Sequence, residues 1–275
     1  MTNSLQATSY YQDMEDTGPQ CPALGAEVTC GVCIIGAGFT GLSAAYELAR
    51  AGKTVTVLDA QKNWGYGASS RNGGQVIVGW HHDIATMART VGWEDAKHCW
   101  QLTLAGRDLI KERIARHEIA CDLHFGYMHL AAKPRHLREM DQTLAEWQKL
   151  DYDHGTMIAR ENIQNYLASS VYCGGLEDKG SGHFHPLKYL FGLVRACIAM
   201  GVDIHLDNRA TIYSADAPCH IVTPKGVVRS EYLIIAGNAY LDPPIAGISS
   251  YLIPVKSYIA ATEPLGQRAQ EIILQ

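Results

Sequence analysis

The chain has 275 residues, 47% of them hydrophobic and 19% charged, with 23 Lys and Arg against 28 Asp and Glu for a formal net charge of −5. That length and apolar content suffice for one large domain or two modest ones with a buried core, which excludes an intrinsically disordered chain. No basic stripe marks a nucleic-acid face. The opening residues, Met1-Thr2-Asn3-Ser4-Leu5-Gln6, have neither the basic nor the apolar segment of a secretion signal. Residues 1 to about 28 are polar and turn-rich (Asp16-Thr17-Gly18-Pro19) and are expected to form an arm over the surface.

Val32-Cys33-Ile34-Ile35 is a short continuous apolar run, the pattern of a strand buried on both faces. The longer apolar stretch Val32 to Ala49 resembles a membrane span only in length. Gly36, Gly38 and Gly41 crowd its first half and Glu47 sits near its end, so no span is expected and the protein reads as soluble and cytoplasmic. Leu42, Ala45, Leu48 and Ala49 recur at helical spacing, and Gly52 supplies a left-handed cap. Thr54-Val55-Thr56-Val57-Leu58 is a second strand. Strand, helix and strand within about thirty residues form a right-handed crossover with parallel strands. From Trp80 to Lys149 the pattern is mostly helical, with Trp93, Trp100 and Trp147 expected in the core and one strand over Tyr127–Ala131. After Pro186, the helical face Leu187, Leu190, Leu193, Val194, Cys197 and Ile198 ends at Gly201, and the strand Val202–Leu206 follows. Three further strands are expected around Thr211–Tyr213, His220–Thr223 and Val227–Ile235, with Pro224-Lys225-Gly226 turning between the last two.

The chemistry concentrates in Gly36-Ala37-Gly38-Phe39-Thr40-Gly41, directly after a strand and at the start of a helix. Gly36 permits the tight turn, Gly38 lets a pyrophosphate approach the backbone, and Gly41 lets the helix pack close to the strand. Phosphate then meets the open N–H groups and positive dipole end of the helix. Asp59, eighteen residues past Gly41, would accept hydrogen bonds from the ribose hydroxyls and repel a 2′-phosphate. This much implies an adenine dinucleotide without separating NAD from FAD. The next segment, Gly67-Ala68-Ser69-Ser70-Arg71-Asn72-Gly73-Gly74-Gln75, reads as a second anion-binding loop, which a flavin across the sheet needs and a nicotinamide does not.

Together with Ser9-Tyr10-Tyr11, Gly182-His183-Phe184-His185-Pro186-Leu187, Ile235-Ala236-Gly237-Asn238-Ala239-Tyr240 and Ile253-Pro254-Val255-Lys256-Ser257-Tyr258, these segments resemble the FAD-dependent oxidoreductases of the D-amino-acid oxidase type. Within that family the resemblance is nearest to the gamma-glutamylputrescine oxidase group. It implies an α/β fold, with a Rossmann-type FAD-binding domain (parallel sheet, helices and β-meander) at 30–80 and 183–245. An incomplete α+β substrate domain would occupy 81–182 and 246–275, after an arm at 1–29. It implies FAD as cofactor, held at the pyrophosphate by Gly36, Gly38 and Gly41 with Phe39 and Thr40 between them, and at the ribose by Asp59. Ser69, Ser70 and Arg71 would follow the diphosphate and ribityl chain, with Gly73, Gly74 and Gln75 close to the flavin ring. Ala210 would meet adenine, and Ala236-Gly237 would close on the cofactor. The implied reaction is two-electron oxidation of a C–N bond in an amine or amino acid, with oxygen accepting the electrons as hydrogen peroxide.

Family members are longer by well over a hundred residues, and the segment expected to be missing includes one that returns to the pyrimidine end of the flavin. Residues 1–275 alone are therefore expected to turn over weakly or not at all. A non-catalytic flavin-binding fragment and an NAD-dependent dehydrogenase are the alternatives. No metal is expected: the twelve histidines show no ligand grouping, and Cys30-Gly31-Val32-Cys33 runs into a strand, where the thiols would pack in the core. His81, His82 and Asp83, and also His183 and His185, are candidates for the substrate edge, although a lone histidine is more often structural. Lys256 is expected on a strand facing away.

Overall fold

The computed structural model describes residues 9–25, 27–214, 216, 218–240, 251–253, 255, 257–274. The Lys256 expectation and the opening hexapeptide lie outside them. The chain divides into two compact units: 1–73, 113–121 and 185–259 form the first, and 74–112, 122–184 and 260–275 the second.

In the first unit a six-stranded sheet contains β1 (Glu27–Ile35), β2 (Val55–Leu58), β7 (Asp203–His205), β8 (Ile212–Tyr213), β9 (Cys219–Thr223) and β10 (Gly226–Ile235). Its spatial order is β7-β2-β1-β10-β9-β8. The first four in that order are parallel, with Ile34 opposite Val57 on one side and Ile234 on the other. The remaining two complete an antiparallel meander. Burial on both sides explains the unbroken apolar run: Cys33, Ile34, Val57 and Leu58 are fully buried. Strand β1 begins at Glu27, ahead of the run itself, because its polar first half pairs with the first half of β10.

Helices α1 (Phe39–Arg50) and α5 (Pro186–Ala199) cross between these strands. Both end as the glycines require. Gly52 and Gly201 have φ of +78° and +81°, and the N–H pairs Gly52 to Ala49 O with Lys53 to Leu48 O, and Gly201 to Ile198 O with Val202 to Cys197 O, close two Schellman motifs. The arm is tied down along its described length. Ser9 Oγ donates to Ser70 O at 2.7 Å, Trp64 Nε1 to Pro19 O at 2.9 Å, and Asp16 pairs with Arg195 at 2.7 Å. That ion pair holds the Asp16 carboxyl below the usual carboxylate range.

The second unit has a four-stranded antiparallel sheet built on β6 (Gly174–His183). Strand β4 (His124–Leu130) lies on one side, with β3 (Gln75–Val76) and β5 (Gly155–Ala159) on the other. Helices α2 (Ile84–Val91), α3 (Trp93–Arg116) and α4 (Pro134–Lys149) accompany it, and a short α6 spans Gln267–Ile272. Trp100 and Trp147 are buried and pack with Tyr152 and Leu176. Trp93 is not core: it opens α3 directly after Gly92 and is 39% exposed.

Strand β6 had no sequence signal, since Gly174-Gly175-Leu176-Glu177-Asp178-Lys179-Gly180-Ser181-Gly182-His183 is rich in glycine and charge. The glycines are there because neighbours occupy the side-chain space: a Cβ on Gly175 would lie 2.8 Å from His129 O, and one on Gly182 would overlap His124 O. Asp178 is buried in this strand and accepts from Tyr152 Oη at 2.7 Å and Gly180 N at 2.9 Å. Burial and that bond push the Tyr152 phenol well up.

All eight cysteines are free, and Cys30 and Cys33 are buried in β1. Among the described residues no helix is long and apolar enough to cross a membrane, and no group of three or more His, Cys, Asp or Glu could hold a metal ion.

Candidate functional site

The carboxyl ends of the four parallel strands converge on one cleft of about 350 Å³, within the roughly 300–1,000 Å³ of small-molecule sites. Strand β1 delivers Gly36, Ala37 and Gly38, β2 delivers Asp59, β7 leads to Leu206, Asn208, Arg209 and Ala210, and β10 delivers Ala236 and Gly237. Open parallel sheets bind ligands at these ends, where neighbouring connections run in opposite directions; here that point lies between β1 and β10.

The glycine turn has the geometry its sequence requires. Gly36 has φ +109°, and a Cβ there would come within 2.6 Å of Ala236 O. Gly41 lies against β1, where a Cβ would overlap the carbonyl oxygen of Gly36. Gly38 is the N-cap of α1 and provides no side-chain cap, and no acidic residue stands in the first turn. The first-turn N–H groups of Thr40 and Gly41 have no carbonyl within the helix to bond, while that of Phe39 reaches Ser69 Oγ at 3.0 Å. Phe39 itself packs on Tyr189 of α5, with ring centroids 5.6 Å apart. Burial raises the Tyr189 phenol, and Arg113 draws it partly back.

Asp59 uses one lone pair on each carboxylate oxygen within the protein: Oδ2 accepts from Ala37 N at 2.8 Å and Oδ1 from Gln61 N at 2.9 Å. A carboxylate has about four acceptor positions, so both oxygens retain capacity toward two vicinal hydroxyls. A glycine cradle and the first-turn N–H groups of a helix are the donors that a dinucleotide diphosphate requires, and this carboxylate supplies acceptors for ribose hydroxyls.

The structure thus brings together Gly36, Gly38, Phe39, Thr40, Asp59, Ser69, Ala210, Ala236 and Gly237 around the cleft. Gly41 stands one layer behind them. Ser70 and Arg71 support the loop instead of lining it: Ser70 is buried with its hydroxyl donating to Gly65 O, and Arg71 Nε donates to Tyr66 O at 3.0 Å. Gly73 ends the first unit, while Gly74 and Gln75 belong to the second, where Gln75 starts β3.

His185 N-caps α5, its Nδ1 accepting from Lys188 N at 3.2 Å. Asp83 caps α2 through Thr86 N at 2.6 Å, which holds its carboxyl below the usual range. His81 and His82 are exposed just ahead of it.

Sequence reasoning missed most of one wall, namely Asn63, Trp64, Tyr66 and Tyr240. Trp64 is buried, and the Tyr66 and Tyr240 rings meet edge to face at 6.1 Å. Their signal was available. All four parallel strands are legible in the sequence, and residues just beyond a parallel strand's carboxyl end line such a cleft.

The model of the FAD dependent oxidoreductase family (DAO) matches residues 31–274. The chain belongs to the FAD-dependent oxidoreductase family. Its cofactor is accordingly FAD. A probable oxidoreductase, OrdL, of Haemophilus influenzae is 38% identical over 97% of this chain and 63% of its own length. The gamma-glutamylputrescine oxidoreductase of Escherichia coli is 32% identical over 94% of this chain and 61% of its own. The chain therefore spans about three-fifths of the length of these relatives. The fold is that of an L-amino acid deaminase from Proteus myxofaciens (TM-score 0.66, 21% identity, 82% of this chain and 49% of that one). It is also that of a glycine oxidase from Geobacillus kaustophilus (TM-score 0.61, 17% identity, 78% and 56%).

Proposed function

We propose that this flavoenzyme oxidises the C–N bond of an amine or amino acid, with a gamma-glutamylated amine of the gamma-glutamylputrescine kind as substrate and oxygen as electron acceptor. The first unit is the flavin-binding domain and the second is part of the substrate domain. The supporting observation is the cleft itself: Gly38 and the uncapped start of α1 face the space that Asp59 borders, and Ser69 and Ala236-Gly237 close it. Bound FAD supplies the two-electron oxidation. The chain's own contribution is binding and orientation. First-turn N–H groups of α1 neutralise the diphosphate, Asp59 holds the adenosine ribose, and the backbone after β7 and β10 positions the two ends of the dinucleotide. The substrate assignment rests on similarity to the gamma-glutamylputrescine oxidoreductase.

The test is direct. Residues 1–275 mixed with FAD and desalted should retain visible flavin absorbance, and Gly38→Leu should abolish it, while NAD at the same concentration should not compete. A colourless protein after reconstitution would refute the flavin assignment. Peroxide release with gamma-glutamylputrescine, and none with a nicotinamide acceptor, is the expected activity signature of the full-length enzyme.

A further inference from the structure

We propose that Gln75, His183 and His124 form a row on the second unit that binds the carboxylate of the amine substrate; the proposal rests on the amine-oxidase reading above. Antiparallel pairing sets Gln75 of β3 opposite His183 of β6, and His183 opposite His124 of β4. Directly opposed residues project to the same face of a sheet, so three nitrogen-bearing side chains stand abreast across three strands. The two imidazoles have centroids 5.7 Å apart and planes inclined by 32°, and all three residues are exposed. Strand β6 alternates with period two: Leu176, Asp178, Gly180 and Gly182 share the other face, and Leu176 there joins the buried cluster around Trp100 and Trp147.

The backbone holds this row in register. Gly182, next to His183, leaves room for the carbonyl of His124. Immediately past His124 the ladder breaks in a bulge between Phe125 and Tyr127, at Gly126 with φ +114°. Bulges of this kind re-aim side chains and gather near functional sites. Each of the three strands carries its row residue at the end where the chain enters or leaves the unit, at residues 74, 122 and 184.

The chemistry favours an anion. A glutamine amide and two imidazoles offer N–H donors, and an imidazolium adds charge to the bond it makes. On the same face of β6 the carboxylate of Glu177 lies six residues away and pairs with Lys179 at 3.8 Å, so it does not compete for the imidazoles. The row takes the carboxylate-bearing end of the molecule and leaves the terminal amine free to react.

Gamma-glutamylputrescine and putrescine separate this from amine binding, because both carry the terminal amine and only the first has a carboxylate. Imidazole resonances of FAD-loaded residues 1–275, assigned with His124→Ala and His183→Ala, are followed while each compound is added. His124 and His183 should shift with gamma-glutamylputrescine and stay still with putrescine. Either alanine variant should weaken the response about tenfold, the loss of one charge-assisted hydrogen bond. Still resonances with flavin in place would overturn the row and leave the flavin reading intact. Equal shifts with putrescine would overturn it as well, whereas absent flavin absorbance would count against the cofactor reading alone.

Discussion

At the scale of single residues, Gly38 and Gly41 stand three positions apart and should fail differently when given a side chain. A Cβ on Gly38 would lie 2.9 Å from Ser69 Oγ, a hydroxyl that can rotate away. Gly38→Ala is therefore expected to unfold within about 1 kcal/mol of the parent while FAD affinity falls about tenfold or more, because the added methyl stands in the diphosphate cradle. A Cβ on Gly41 would meet the Gly36 carbonyl, which belongs to the backbone leaving β1. Gly41→Ala is expected to cost about 1–3 kcal/mol of stability, read from urea unfolding without FAD. Similar stability losses in both variants would remove the distinction. Asp59→Asn should show both effects. Its amide turns a donor toward Ala37 N or Gln61 N, which costs about 1–3 kcal/mol, and it removes a ribose acceptor, so FAD titrations should show weakened binding.

Among the elements, the last turn of α3 and the residues after it, 113–121, are, with 246–259, the parts of the first unit that sequence reasoning assigned to the substrate domain. Arg113 explains the place of 113–121. Its guanidinium is 4% exposed and donates to Ser43 Oγ at 2.8 Å and Glu47 Oε1 at 2.9 Å, both on α1. It also lies over the Tyr46 ring at 4.9 Å, and Tyr46 Oη bonds His117 Nε2 at 2.9 Å. Ile119 then fills the space left by Gly192 on α5. Losing a buried partner is costly, but Glu47 is 37% exposed and already partly screened. Arg113→Ala is therefore expected to destabilise by about 1–3 kcal/mol, measured by chemical unfolding; an unchanged midpoint would contradict the role. None of this is visible in the local pattern of α3, whose helical signal is the same on both sides of residue 113. Strand β6 was likewise unreadable, because its glycines answer to side chains and carbonyls far away in sequence.

For the whole molecule, buried thiols set an alkaline limit. Burial pushes the Cys197 thiol up to about 12 and raises Cys33 further. An unfolded thiol titrates near about 8.5. Below that value both states hold their protons and the contribution to stability is complete. Above it the unfolded chain releases protons that the folded chain keeps, so stability falls as pH rises, through a window from about 8.5 to about 12. The denaturant midpoint should decline from about pH 8 to about pH 10, and a Cys33→Ala, Cys197→Ala double variant should decline less. A midpoint flat over that range in the parent would refute the prediction.

The amino-acid sequence by itself determined the crossover unit, the glycine turn, Asp59 and the family. These depend on residues adjacent in the chain or on a short repeat, where local sterics and helix-end electrostatics are decisive. The tertiary structure alone decided which loop residues wall the cleft with Trp64, Tyr66 and Tyr240, and that Ser70 and Arg71 brace the loop from behind. It also decided that residues 113–121 belong to the first unit and that Gln75, His183 and His124 stand abreast. Each of those outcomes depends on which distant backbone occupies a given space, and strand register and the packing of a buried guanidinium leave no periodic trace in the order of the residues.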